Sequence, residues 1–342
     1  MTAIEALVRP NILQLQAYSS ARDEFSGQEG IFLDANENPY GTLNRYPDPH
    51  QRALKAKIAA IKETKPENVF IGNGSDEIFD LVFRIFCRPG QDKALTFSPT
   101  YGMYRVCAGV NQVELLQLPL DRSFQIDMEQ TFSYLDSPDI KLIIICSPNN
   151  PTGNLIRRSD IIHILDHFKG MVLVDEAYID FSGTGSMIHL IDTYDRLIVS
   201  QTCSKARGLA SCRVGMAFSG NEVIALMNKV KLPYNVSGPN QKAVLEALED
   251  SENYQQNLAL LTKERERLKK RLEGMSVIKK VYPSRANFLL VEVEDADMLY
   301  RDLASRGIVT RNCSKQVSNC LRISVGTPAE NDALTDALKN MS

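Results

Sequence analysis

Histidine is scarce in this chain of 342 residues: only His50, His163, His167 and His189 occur. His163 and His167 stand four apart on one predicted helix face, but no HExxH accompanies them, so a helix-surface pair is expected rather than a metal site. The seven cysteines are scattered and include no CxxC, which argues against a disulfide framework and a thiolate zinc site and fits a reducing cytoplasm. A surplus of positive charge is also missing. The 39 Lys and Arg against 42 Asp and Glu leave a formal charge of -3, so no nucleic-acid partner is expected. The purely aliphatic run Leu142–Ile145 is far too short to span a bilayer, and Glu5 and Arg9 interrupt the stretch that a secretory leader would keep apolar. The phosphate-loop pattern GxxxxGK[ST], the dinucleotide pattern GxGxxG and the hydrolase elbow GxSxG are absent, as are internal repeats. The charged run Lys263–Glu273 mixes both signs, and Leu258, Leu261, Leu268 and Leu272 recur at helical spacing, the pattern of a solvated helix face over a core stripe.

What is present is a regular alternation. The chain exceeds the size at which one core stops growing, so two units sharing a seam are expected. Apolar runs at Val69–Ile71, Ala94–Phe97, Leu142–Cys146, Val172–Val174, Leu197–Val199 and Val214–Phe218 predict strands buried on both faces. Helix-like stretches at Ser75–Cys87, Tyr101–Gly109, Met128–Leu135 and Ser159–Phe168 lie between them, which predicts an α/β layer structure around a mostly parallel sheet. Beyond Leu232 the pattern changes. A long helix from about Asn253 to Glu273, strands at Phe288–Val293 and Leu321–Val325, a helix over Ala296–Ser305 and a last helix capped by Thr327 predict a smaller α+β unit. The predicted division is an N-terminal arm or part of the small domain over 1–40, a large domain over 41–235, and a connecting helix with a small C-terminal domain over 236–342.

Five strand ends carry chemistry. After Leu197–Val199 comes a small polar loop holding Lys205, with Thr202, Ser204 and Arg213 around it. A lysine walled by small residues at a strand end can be partly desolvated, as Schiff-base chemistry requires, and the hydroxyls with a guanidinium suit a phosphate; a solvated surface lysine is the plainer alternative. Asp175 ends the run Val172–Val174, with Tyr178 three residues on; a buried acid there can hold a pyridinium nitrogen protonated, or can simply cap a helix. Asn149 lies between Pro148 and Pro151, where it can reach a ring oxygen or form an ordinary turn. Gly74, Ser75 and Asp76 open a helix whose free amides make an anion site, though they can be no more than a helix start. Tyr101 can stack on a planar ring or sit in the core. Together these residues converge on a planar, phosphorylated, aldehyde-bearing cofactor.

Over nearly its whole length the chain resembles the class-II, fold-type I pyridoxal-phosphate-dependent aminotransferases, and within them the subgroup acting on histidinol phosphate. The stretches that carry the likeness are Leu33–Gly41, Arg45–Asp48, Gly72–Glu77, Pro99–Tyr104 and Cys320–Gly326. The resemblance implies a mostly parallel seven-stranded sheet between helices, a smaller α+β C-terminal domain, and pyridoxal 5'-phosphate as cofactor. It implies Lys205 as Schiff-base lysine and proton carrier, Asp175 as pyridinium partner, Asn149 and Tyr178 at the phenolic oxygen, and Tyr101 as stacking ring. The Ser75 and Asp76 amides, Ser204 and Arg213 correspond to the phosphate cup, and Gly74 and Thr202 are expected among the cofactor-binding residues beside them. Tyr46 corresponds to a tyrosine reaching the cofactor of a second subunit, which implies a homodimer with shared sites. Arg322 corresponds to the clamp on the substrate's acidic group, with Tyr18, Asn36 and Arg311 as further substrate contacts. The implied reaction exchanges an amino group between histidinol phosphate and 2-oxoglutarate or glutamate, in histidine biosynthesis. A threonine-phosphate decarboxylase or an aromatic amino-acid aminotransferase shares these motifs, and a non-catalytic regulatory domain on the same fold is the alternative of another class. Arg207, where an uncharged residue is usual, and Ser211, where glycine is common, depart from the pattern.

Overall fold

The structure is a computed structural model that describes residues 2–19 and 30–339. Seven strands form the main sheet: β1 (Val69–Asn73), β2 (Lys93–Ser98), β3 (Glu114–Pro119), β4 (Ile140–Cys146), β5 (Met171–Asp175), β6 (Leu197–Thr202) and β7 (Val214–Phe218). Their order is β1-β7-β6-β5-β4-β2-β3; β7 runs antiparallel to both neighbours and the other pairs are parallel. This is the mostly parallel sheet that the runs of Ile, Leu and Val predict. No separate run marks β3. It lies at the sheet edge with one partner, and its half-exposed residues Leu115, Leu116 and Gln117 are too mixed to give a continuous apolar signal.

Side chains alternate across a strand, so each strand feeds two cores. Ile143, Ile145, Val172, Val174, Leu197 and Val199 pack on one face; Leu142, Ile144, Leu173 and Ile198 pack on the other against Ile78, Phe79 and Val82 of the helix Gly74–Phe86. Each such side chain contributes about 1.5–3 kcal/mol on burial. The same parity assigns the strand ends to faces. Cys146, Asp175 and Thr202 fall on the face of the helix Gly74–Phe86, and Cys203 falls on the opposite face.

A second sheet of four antiparallel strands has the order β10-β11-β9-β8, with β8 (Ile278–Val281), β9 (Phe288–Val293), β10 (Arg311–Asn312) and β11 (Cys320–Ser324). Leu268 and Leu272 of the helix Ser251–Glu273 pack against it, as do Leu299, Leu303, Leu334 and Leu338. Leu258 and Leu261, earlier in that helix, pack instead beside Tyr178 and Phe288, so one apolar stripe serves both bodies of the fold. The N-terminal segment, expected as an arm or as part of the small domain, lies in its described first residues against the large body. Ile4, Val8 and Ile12 are buried among Phe83, Ile85 and Leu226 of the large body, and Arg9 N donates to Ile85 O at 2.9 Å. Apolar side chains at spacing four make this anchorage. Among the described residues no helix is long and apolar enough to cross a membrane.

β1 and β7 close the site from one side. Gly72 pairs with Gly215 across them, and a Cβ on Gly215 would lie 2.4 Å from Gly74 C and 2.5 Å from Ser75 N. Both neighbours are backbone and cannot rotate away. Gly215→Ala is therefore expected to destabilise the fold by about 1–3 kcal/mol, measured as a lowered midpoint in urea unfolding, and to push the Gly74–Ser75 turn out of place.

Candidate active site

The strand ends meet in a cleft of about 180 Å³ lined by Ser75, Asp76, Tyr101, Cys146, Asn150, Asp175, Ala177, Tyr178, Thr202, Ser204, Lys205, Arg213 and Arg322. The large body supplies all of these but Arg322, which comes from β11 of the small sheet. Sheet register explains the grouping: Cys146 is level with Asp175, Asp175 with Ser200, and Thr202 with Gly215.

Asp175 is 3% exposed at the floor of the cleft. Tyr104 Oη donates to its Oδ2 at 2.6 Å, and Ala177 N donates to its Oδ1 at 3.1 Å. Burial raises the carboxyl to about 6, against the opposing pull of these two hydrogen bonds. At the cleft mouth, burial lowers the Lys205 amine; Arg322 and Arg213 push the same way, while Asp175 opposes them. The Lys205 Nζ stands 5.7 Å from the centre of the Tyr178 ring.

At one end of the cleft the helix Gly74–Phe86 presents its first turn. Gly74 has φ +73, and a Cβ there would lie 2.5 Å from Arg213 Nη2, so only glycine lets the guanidinium approach the turn. Gly74 N donates to Arg213 O at 2.7 Å, and Arg213 is itself left-handed at φ 51. Asp76 receives Arg213 Nη2 at 3.5 Å and Tyr101 Oη at 3.3 Å. Ser204 N is turned toward Thr202 Oγ1 at 3.1 Å, which curls the lysine loop over the strand end. Helix-start amides, a guanidinium and hydroxyls in one place are the donor set of a phosphate site.

Asn149 differs from the expectation. Its Nδ2 donates to Pro99 O at 2.8 Å and Thr152 Oγ1 at 2.7 Å, and its Oδ1 accepts from Thr100 Oγ1 at 3.0 Å. These bonds tie its side chain to the loop after β2 and to Thr152 of its own loop. Asn150 faces the cleft instead: its Nδ2 donates to Tyr178 Oη at 3.3 Å, and its Oδ1 accepts from Arg322 Nη1. Spacing cannot tell two adjacent asparagines apart, because which one points inward depends on the path of the turn. Tyr104 also escaped the sequence reading. The signal was available, since it lies three residues beyond Tyr101, just inside the helix Met103–Val110. Ala177 acts through its backbone and leaves no trace in residue type.

Four other expected site residues do not line the cleft. Asn36 and Tyr46 line a separate hollow of about 850 Å³ formed by residues 35–47 and 237–246. Tyr46 stacks on Tyr234 at 4.4 Å. Tyr18 is exposed and lies by Pro49, His50 and Tyr234. Arg311 is exposed on β10, in register opposite Arg322. Arg207 points out of the cleft and stacks on Tyr254 at 3.6 Å, and Ser211 is exposed, so neither departure intrudes on the cleft.

The family model for class I and II aminotransferases matches residues 29–338. The chain is 49% identical to the histidinol-phosphate aminotransferase of Parabacteroides distasonis, over 100% of this chain and 99% of that one. It is 44% identical to the enzyme of the same name from Cytophaga hutchinsonii, over 98% of this chain and 99% of that one. Among solved structures, the histidinol-phosphate aminotransferase from Clostridium acetobutylicum superposes with a TM-score of 0.81 at 28% identity, covering 87% of this chain and 91% of that one.

The two asparagines separate by experiment. Asn149→Ala is expected to cost about 2–3 kcal/mol of stability, since it strands buried partners, whereas Asn150→Ala should leave the unfolding midpoint nearly unchanged and act on the cleft. Denaturant unfolding of both variants decides it. Carboxyl carbon NMR of the cofactor-free protein should show Asp175 titrating near 6. Tyr104→Phe removes a bond that favours the ionised form, so the midpoint should rise; an unchanged or lower midpoint would contradict the assigned role of Tyr104.

Proposed function

The chain belongs to the class I and II aminotransferases, and from that premise we propose that it exchanges the amino group between histidinol phosphate and 2-oxoglutarate, giving imidazole-acetol phosphate and glutamate. It is a pyridoxal-phosphate-dependent transferase. The reading rests above all on one observation: an amine, a buried carboxylate and a guanidinium line the same small cleft, with a second guanidinium from the small sheet closing it.

The residues present fit the cofactor. Gly215 lets β7 lie against the Gly74–Ser75 turn and Gly74 lets Arg213 approach it, which gathers the helix-start amides and a guanidinium where a phosphate can be held. Asp175 offers a desolvated carboxylate to a ring nitrogen. When bound, pyridoxal phosphate supplies an aldehyde for amine exchange and a ring that accepts electrons from the substrate's α-carbon. In the proposed reading Ser75 N, Ser204, Thr202 and Arg213 hold its phosphate, Tyr101 covers the ring face, and Tyr178 with Asn150, rather than Asn149, holds the ring oxygen. Lys205 carries the proton between the α-carbon and the cofactor. Its lowered amine favours the neutral base this step needs. Arg322 binds the substrate's anionic group and is held toward the cleft by Asn150.

We assign Arg311 to the substrate contacts beside Arg322, and Tyr46, with Asn36 in the same hollow and Tyr18, to sites completed by a second copy of the chain, in a homodimer. Exposed apolar side chains at Ile31, Leu33, Tyr40 and Leu43 around Tyr46 support this. Seven free cysteines support residence in the reducing cytoplasm.

A single-turnover assay tests the reaction. Histidinol phosphate and glutamate are each expected to discharge the visible absorbance of the holoenzyme, while threonine phosphate releases no carbon dioxide and phenylalanine reacts far more slowly. Failure with histidinol phosphate would overturn the substrate. Lys205→Ala should remain folded yet lose turnover by about 10³-fold or more; activity near wild type would refute the lysine's role.

A further inference from the structure

Arg265 lies in the helix Ser251–Glu273 that joins the two bodies and is 4% exposed. A buried guanidinium is unfavourable unless its donors are used, and a side chain of similar volume such as Met would fill the space as well. Its use is specific. A single nitrogen, Nη1, donates to Phe181 O at 3.2 Å and to Ala286 O at 3.1 Å. Phe181 lies three residues beyond Tyr178 in the large body; Ala286 lies two residues before β9 of the small sheet. Phe181, Ala286, Tyr178 and Phe288 pack as one apolar cluster, with Tyr178 and Phe288 edge to face at 5.1 Å. Arg322 Cζ stands 5.4 Å from the Phe288 ring. The remaining partner, Glu266 at 3.1 Å from Nε, is half exposed and adds little.

We propose that Arg265 is a positioning residue that fixes the span between Arg322 and Lys205 by tying the backbone behind Tyr178 to the backbone before Phe288. The proposal rests on the reaction assigned above. The two carbonyls belong to opposite sides of the seam, so losing their shared donor leaves one buried acceptor unpaired on each side. The seam then relaxes and Arg322 shifts relative to the amine. The phosphate cup does not change, because the Gly74–Asp76 turn, Ser204 and Arg213 all belong to the large body. Arg265 thus acts on substrate affinity and leaves the phosphate anchorage that retains the cofactor unchanged.

The test compares Arg265→Met and Arg265→Lys as holoenzymes, with Arg265→Gln replacing Met if that variant does not fold. Cofactor content and visible absorbance are measured beside KM and kcat for histidinol phosphate and glutamate. The Met variant is expected to raise both KM values about tenfold with kcat within about threefold and cofactor content unchanged. The Lys variant, one bond shorter but still a donor, should recover most of the loss. Unchanged KM in the Met variant, a Lys variant no better than Met, or cofactor loss in step with KM would each overturn the proposal. Wild-type protein inactive on histidinol phosphate would instead sink the reaction on which it rests.

Discussion

Asp175 carries a carboxyl group to the almost fully buried floor of the cleft. Its neighbours, the Tyr104 hydroxyl, the Ala177 amide and the Cys146 thiol, are all neutral. They hold the carboxylate in place without cancelling its charge, and burial leaves its pKa near 6. A carboxylate kept in this state is stabilised by a cation brought against it, so the floor of the cleft favours a positively charged group. The rest of the site follows from that placement. β5 ends at Asp175 level with the end of β4, β6 runs two residues further to Thr202, and the loops that leave β4 and β6 supply Asn150 and Lys205.

Two close backbone contacts make the opposite end. Gly215 lets β7 lie against the Gly74–Ser75 turn, and Gly74 lets Arg213 approach the helix start. Carboxylate and guanidinium are held apart by strand register, not by flexible side chains, which gives the cleft a fixed length. The small sheet contributes one cleft residue, Arg322, and the seam at Phe181, Ala286 and Phe288 determines where that residue stands.

Much of this was legible in the chain because it depends on local rules. Runs of Ile and Val announce strands buried on both faces, and residues directly following such runs must lie at strand ends. Lys205, Asp175 and Tyr101 are of this kind, and all three line the cleft. The edge strand Glu114–Pro119 and the short strands Ile278–Val281 and Arg311–Asn312 were not legible, since each is defined by its neighbour and not by its own composition.

By itself the sequence determined the α/β alternation, the family, and which strand ends bear reactive groups, since hydrophobic period and residue chemistry are properties of neighbouring residues. Only the tertiary structure decided which of two adjacent asparagines faces the cleft, that Tyr104 supports the buried acid, and that Arg265 joins carbonyls 21 and 84 residues away from it. It also separated Tyr18, Asn36 and Tyr46 from the residues around Lys205. The physical reason is the same in each case. A side chain's direction and its distant partners are fixed when two layers close on each other, and the energy of that closure is not encoded in any one segment.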